Sequence, residues 1–129
     1  MITQIKVFKK NALALALDET FTETDVVEIE QLFEEKFNAG YEHVNLLLKV
    51  KDMTILKRTD FKTFIHGEAW GFKHFSKLGR CAVVAHSDFI KAVVTVEGKV
   101  LHLANAAFEE KYFDLDQLDE ALSFIDTDK

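Results

Sequence analysis

The chain predicts an α/β fold on a mostly parallel sheet, and three observations carry the prediction. Two are the near-continuous apolar runs Val44-Asn-Leu-Leu-Leu-Lys-Val50 and Cys81-Ala-Val-Val-Ala85. Strands that read apolar without alternation are those buried on both faces, as parallel strands are. The third is the stretch between them, a Phe-rich helical pattern from Thr59 to Leu78, long enough for the crossover that parallel neighbours need. The region thus reads as a strand (His43 to Val50), a helix (Thr59 to Leu78) and a strand (Arg80 to Ala85). The other elements are arranged around it.

In order along the chain, Ile2 to Phe8 alternates weakly, Lys9-Lys10-Asn11 supplies a polar turn, and Ala12-Leu-Ala-Leu-Ala-Leu17 completes a hairpin. With a period of two, its three Ala share one face and its three Leu the other. The flat Ala face suits a closely packed helix or, alternatively, a ligand that fills the missing volume. A helix follows. Thr22 caps it, Asp25 takes the acidic place of a capping box, and Phe21 staples onto Val26. Val26, Ile29, Phe33 and Phe37 form its buried stripe, Glu28, Glu34 and Glu35 face water, and Gly40 stops it in a left-handed cap.

The loop Lys51 to Arg58 leaves the carboxyl end of a parallel strand, where ligands favour α/β sheets. It has no glycine for a phosphate-cradling turn, and it reads as a plain connection. On the long helix, Phe61, Phe64, Ile65, Phe72 and Phe75 share the face that meets the sheet. Glu68 falls among them and needs a salt link or a ligand to satisfy it. Gly67 and Gly71 let another backbone approach. Trp70 points away from the Phe face, beside His66, His74 and Lys77, and calls for a second helix, a second chain or a ligand, with a helix or subunit contact expected. The histidines have no metal-ligand spacing, and no metal site or cofactor is expected.

Ser87 and Asp88 are placed to cap a further element. From Phe89 to Phe108 the residues alone leave two readings open, a helix through Phe89, Val93, Val96 and Val100, or a hairpin turning at Gly98. Its poor local consistency marks it as a movable cover over an apolar cavity. Glu110 to Phe113 is a short final strand. Asp114 with Gln117 then opens a helix that buries Leu118, Ala121, Leu122 and Ile125.

At 129 residues and 48% hydrophobic, the sequence suits one domain over 1–129. Its one cysteine, Cys81, lies inside an apolar strand, which excludes a disulfide framework and favours a reducing, cytoplasmic setting. The first residues lack the apolar core of a signal peptide, and no run reaches membrane-spanning length. A net charge of −6 argues against nucleic acid. Enzyme readings find little. Ser76, Ser87 and Ser123 lie in no Gly-x-Ser-x-Gly elbow, and Cys81 is placed for burial rather than reactivity. Asp114, Asp116 and Asp119 sit where a helix N-terminus favours negative charge. The expectation is a protein that is not an enzyme.

The strings Trp70-Gly-Phe-Lys-His-Phe75, Arg80-Cys-Ala-Val-Val84, Tyr112-Phe-Asp-Leu-Asp116 and Leu118-Asp-Glu-Ala121 resemble the SpoIIAA-like family of small bacterial domains. The resemblance covers nearly the whole chain. It implies a STAS-like α/β sandwich with a mixed, mostly parallel sheet of about five strands and helices largely on one face, and it tips the Phe89 region toward helix. Anti-sigma-factor antagonists of that fold carry a phosphorylatable serine, in an Asp-Ser-Ser-Gly-like motif, at the start of the helix after the central strand. Here Lys57-Arg-Thr-Asp-Phe61 has neither serine nor glycine, which removes the serine switch and leaves Thr59 as the hydroxyl available. The STAS-like fold is also similar to that of the CRAL-TRIO lipid carriers. Two expectations follow. The first is a noncatalytic domain that binds a nonpolar small molecule or lipid between its sheet and the helices at 59–78 and 88–106, walled by Phe64, Phe72, Phe75, Phe89 and Val93. Under that expectation Trp70 makes a helix or homodimer contact. The alternative is a STAS-type regulatory interaction module with a partner surface of Trp70, His74 and the loop near Thr59.

Overall fold

The computed structural model describes residues 2–18, 20–50, 78–86 and 109–126. Its strands are β1 (Ile2–Val7), β2 (Ala12–Leu17), β3 (Val44–Val50), β4 (Leu78–Ala85) and β5 (Glu109–Phe113). They form one five-stranded sheet in the order β1-β2-β3-β4-β5. The β1–β2 pair is antiparallel and the other three pairs are parallel, which is the mixed, mostly parallel sheet expected. Two described helices accompany it, α1 (Glu23–Asn38) and α2 (Leu118–Ile125), the latter entered through a 3-10 turn at Leu115–Gln117.

The Ala/Leu alternation of β2 decides which helix covers which face. Leu13, Leu15 and Leu17 pack with Val26, Ile29 and Phe33 of α1 and with Leu46, Leu48, Cys81 and Val83 of the central strands. Ala12 and Ala14 lie on the other side, in one cluster with Leu47, Ala82, Val84, Phe113 and the α2 residues Ala121 and Ile125. Ala14 and Ala82 are wholly buried, so the flat face is closed by packing. Of the two described helices, therefore, one lies on each face. The further helices expected at 59–78 and 88–106 lie outside the described residues, as do the loop 51–58 and the proposed cover at 89–108.

The local signals for α1 act as expected. The Asp25 carboxylate accepts from the Thr22 backbone N–H at 2.9 Å, and Phe21 and Val26 are both buried beside it. At the other end Gly40 takes φ 102°. Its N–H donates to the Phe37 carbonyl at 2.9 Å and Tyr41 N–H reaches back to Lys36 at 3.4 Å, the pair of bonds that defines a Schellman stop. Asp114 likewise begins the 3-10 turn, its carboxylate accepting from Leu115 N–H while Gln117 Oε1 accepts from Asp114 N–H.

One boundary is corrected. Leu78, read as the last residue of the long helix, belongs to β4, where it pairs with Val44 just before a register shift in the β3–β4 ladder. A helical pattern cannot reveal a ladder partner that lies 34 positions earlier in the sequence.

Candidate functional site

The parallel strands end level with one another. Leu17 is paired with Val50, Val50 with Ala85, and Val84 with Phe113, so the next residues out, Asp18 and His86, leave the sheet along one carboxyl edge together with Asp114. Neighbouring strands stand about 4.8 Å apart, which puts the backbones of Asp18 and His86 roughly 10 Å from each other. This is the edge at which α/β sheets meet ligands and partners.

The groups described there are the Asp18 carboxylate with Thr20 and the His86 imidazole. The Asp18 carboxylate accepts from the Thr20 backbone N–H at 3.0 Å and from the Thr20 hydroxyl. The hydroxyl bond is the largest cause holding Asp18 below the usual carboxylate range, against a smaller upward push from burial. An acid held in its charged form and engaged by its own turn is a poor proton shuttle. His86 is exposed at the end of β4. Among the described residues no group of three or more His, Cys, Asp or Glu is placed to hold a metal ion. Cys81 is buried in the α1-side core and takes part in no disulfide, and Ser123 lies exposed on α2.

A second polar group lies at the amino end of the strands. Asn45, buried near the start of an apolar run, donates through Nδ2 to the Ile125 carbonyl at 2.9 Å and accepts at Oδ1 from the Arg80 N–H at 2.8 Å. Arg80 Nη1 donates to the neighbouring Phe124 carbonyl at 3.0 Å while its guanidinium lies 5.0 Å from the centre of the Phe124 ring. Two side chains from two strands thus satisfy carbonyls at the end of α2, which a helix terminus otherwise leaves open. Asn11 adds a further tie, from Nδ2 to the His43 carbonyl at 2.9 Å. These are structural pins.

Sequence reading passed over Asn45, Arg80 and Lys36. The available signal for Asn45 was a lone amide at the start of Val44–Val50, since a polar side chain in such a run needs partners. Lys36 sits in the last turn of α1, where a cation is favoured. Its Nζ donates to the Phe8 carbonyl at 2.8 Å and also to that of Lys10, and burial pushes its pKa down. The residues singled out from sequence as ligand walls, Phe64, Phe72, Phe75, Phe89 and Val93, and as a partner surface, Thr59, Trp70 and His74, all lie outside the described residues.

No helix among the described residues is long and apolar enough to cross a membrane. Neither a curated protein nor a solved structure matches the chain. The family pattern described as SpoIIAA-like matches residues 3–126, nearly the whole length, and the five-stranded mixed sheet with its helices agrees with that fold. The chain belongs to the SpoIIAA-like family.

Proposed function

We propose that the chain is a single noncatalytic STAS-type domain of the cytoplasm that regulates by binding another protein at the carboxyl edge of its parallel strands. The observation that carries this reading is the level edge itself, where Asp18 and His86 leave the sheet on either side of the end of β3. β3 ends at the same edge with Val50, and residues 51–58 and Thr59 follow it in sequence. A surface of this kind offers backbone, hydroxyl and imidazole groups on a rigid platform, which suits recognition.

Photocrosslinking tests it. A benzophenone amino acid is placed at His86, at Thr59 and, as reference, at Glu34 on the exposed face of α1. The proposal expects one partner crosslinked from the first two positions and none from Glu34, with capture lost on Thr59→Ala or Trp70→Ala. Equal crosslinking from Glu34 refutes it.

A second reading is favoured by a different observation. Cys81, Val83 and Ala85 form a buried apolar floor on β4, joined by half-buried Tyr112, on the side that α1 covers, yet α1 meets the sheet chiefly at β3. Connections between parallel neighbours share one hand, and under this reading the crossovers from β3 to β4 and from β4 to β5 roof that floor. Phe64, Phe72, Phe75, Phe89 and Val93 then wall a site for a nonpolar small molecule. Native mass spectrometry followed by organic extraction discriminates. A stoichiometric apolar passenger, lost on Phe89→Asp, supports the second reading against the first, and the same spectrum tells a monomer from a homodimer.

A further inference from the structure

The sheet has a different kind of surface at β1. Among the described residues β1 has one strand neighbour, β2, and Thr3, Gln4, Lys6 and Val7 are exposed. Val7 is 75% exposed, more than any other large apolar side chain described. We propose that β1 is a docking strand for an extended acidic peptide segment of another protein, which adds to the sheet as a sixth strand. The proposal goes beyond the function above. The hairpin end of β1 lies at the amino end of β2, opposite the carboxyl edge.

Register shows what such a strand would meet. Gln4 and Val7 lie opposite Leu15 and Leu13 and so face the α1 side, while Lys6 lies opposite Ala14 on the α2 side, with its Nζ 5.0 Å from the centre of the Phe8 ring. A peptide alternating apolar and acidic residues matches both rows, one against Val7 and the other against Lys6. Charge selects the acidic partner. Lys6, Lys9 and Lys10 fall within five residues of a chain whose net charge is −6. Opposite charges across a pair of strands attract and like charges repel. A lysine and a bulge are also devices that keep edge strands from joining one another, and β1 has both, its ladder shifting between Gln4 and Lys6. They discourage a second copy of the same basic edge and admit a strand of the opposite sign.

The edge is also held ready. Lys36 Nζ donates to the Phe8 and Lys10 carbonyls, and the Tyr41 hydroxyl approaches the Lys9 carbonyl at 3.5 Å, so the end of α1 fastens the hairpin. A strand already fixed in its bound conformation loses little freedom when it pairs.

Fluorescence anisotropy on the full chain tests the proposal, with a fluorescein-labelled octapeptide of alternating Val and Glu as the probe. Three controls accompany it: the Val/Lys counterpart, a Val/Glu peptide N-methylated at every residue so that neither edge keeps a donor, and the Lys6→Glu, Lys9→Glu double variant, whose altered side chains are exposed. Saturable binding is expected, weakened about tenfold or more by the double variant. It is expected to be lost on N-methylation, which removes the ladder donors and needs no variant to fold. Equal affinity for the N-methylated or the Val/Lys peptide overturns strand addition by an acidic segment, as does an absence of binding. A dimer of the chain that dissociates on Val7→Ser, with no peptide uptake, assigns the edge to a second copy and overturns it too.

Discussion

Replacing Asn45 with alanine removes two buried hydrogen bonds at once, and its cost can be worked from the geometry. The amide is wholly buried, donates to Ile125 at 2.9 Å and accepts from Arg80 at 2.8 Å. Each backbone group deprived of its partner inside the protein costs about 1–3 kcal/mol. The sum, about 2–6 kcal/mol, is a large share of the roughly 5–15 kcal/mol that holds a domain together. In urea, with a slope of about 1–3 kcal/mol per molar, the midpoint should fall by at least about 0.7 M at unchanged slope. Asn45→Asp sharpens the test. It keeps the acceptor for Arg80 but sets an oxygen against the Ile125 carbonyl unless the new carboxyl is protonated. Burial raises the pKa of that carboxyl, so the folded variant binds the extra proton more readily than the unfolded chain. Its deficit relative to the parent protein should be smallest below about pH 4 and grow as pH rises through the raised folded pKa. A midpoint unchanged in Asn45→Ala, or a deficit in Asn45→Asp that is flat with pH, would refute the pin.

Other expectations follow from single features. Gly40→Ala forces a side chain into φ 102° where no atom stands within 4 Å, so the penalty is conformational alone, about 1–2 kcal/mol by thermal or urea melting. Ala14→Leu inserts volume into the closed α2-side face and should destabilise by about 1–3 kcal/mol. Thr20→Val removes the hydroxyl that holds the Asp18 pKa down, so a carboxyl-detected NMR titration should move Asp18 upward toward 3.8. The Lys36 pKa is lowered from 10.5 by burial, so the folded chain releases that proton first and gains stability relative to Lys36→Met as pH rises through the folded pKa. Parallel melts of the two proteins between neutral and alkaline pH show whether the difference has that sign.

The sheet was legible because burial on both faces writes itself into composition. No polar alternation is needed in Val44–Val50 or Cys81–Ala85, and the Leu and Ala rows of β2 separate cleanly into the two clusters around α1 and α2. Caps were legible for the same local reason, since Thr22 with Asp25, Gly40, and Asp114 with Gln117 act within five residues of one another. What sequence could not show is carried by long-range partners. Asn45 reads as a blemish in a strand until Arg80 and Ile125 are seen to lie beside it. Leu78 reads as the end of a helix until it is found opposite Val44. Lys36 shows a favourable place on its helix but not the carbonyls of a hairpin that lies 26 and 28 residues back. Of the candidate site, the strand pattern pointed to the carboxyl end of Val44–Val50, but the loop there read as a plain connection, and the aromatic walls and Trp70 lie outside the described residues.

Asn45 also sets a timetable. One of its partners lies 35 residues later in the chain and the other 80. On a ribosome adding about 5–20 residues per second, the amide emerges roughly 4–16 s before the Ile125 carbonyl exists. Throughout that interval Asn45 keeps its water, and the apolar run around it has to be sheltered by nascent neighbours or by chaperones. The tie is complete only when α2 arrives, so a stalled or clipped product lacking residues 118–125 leaves the Asn45 amide in its central strand without the Ile125 carbonyl.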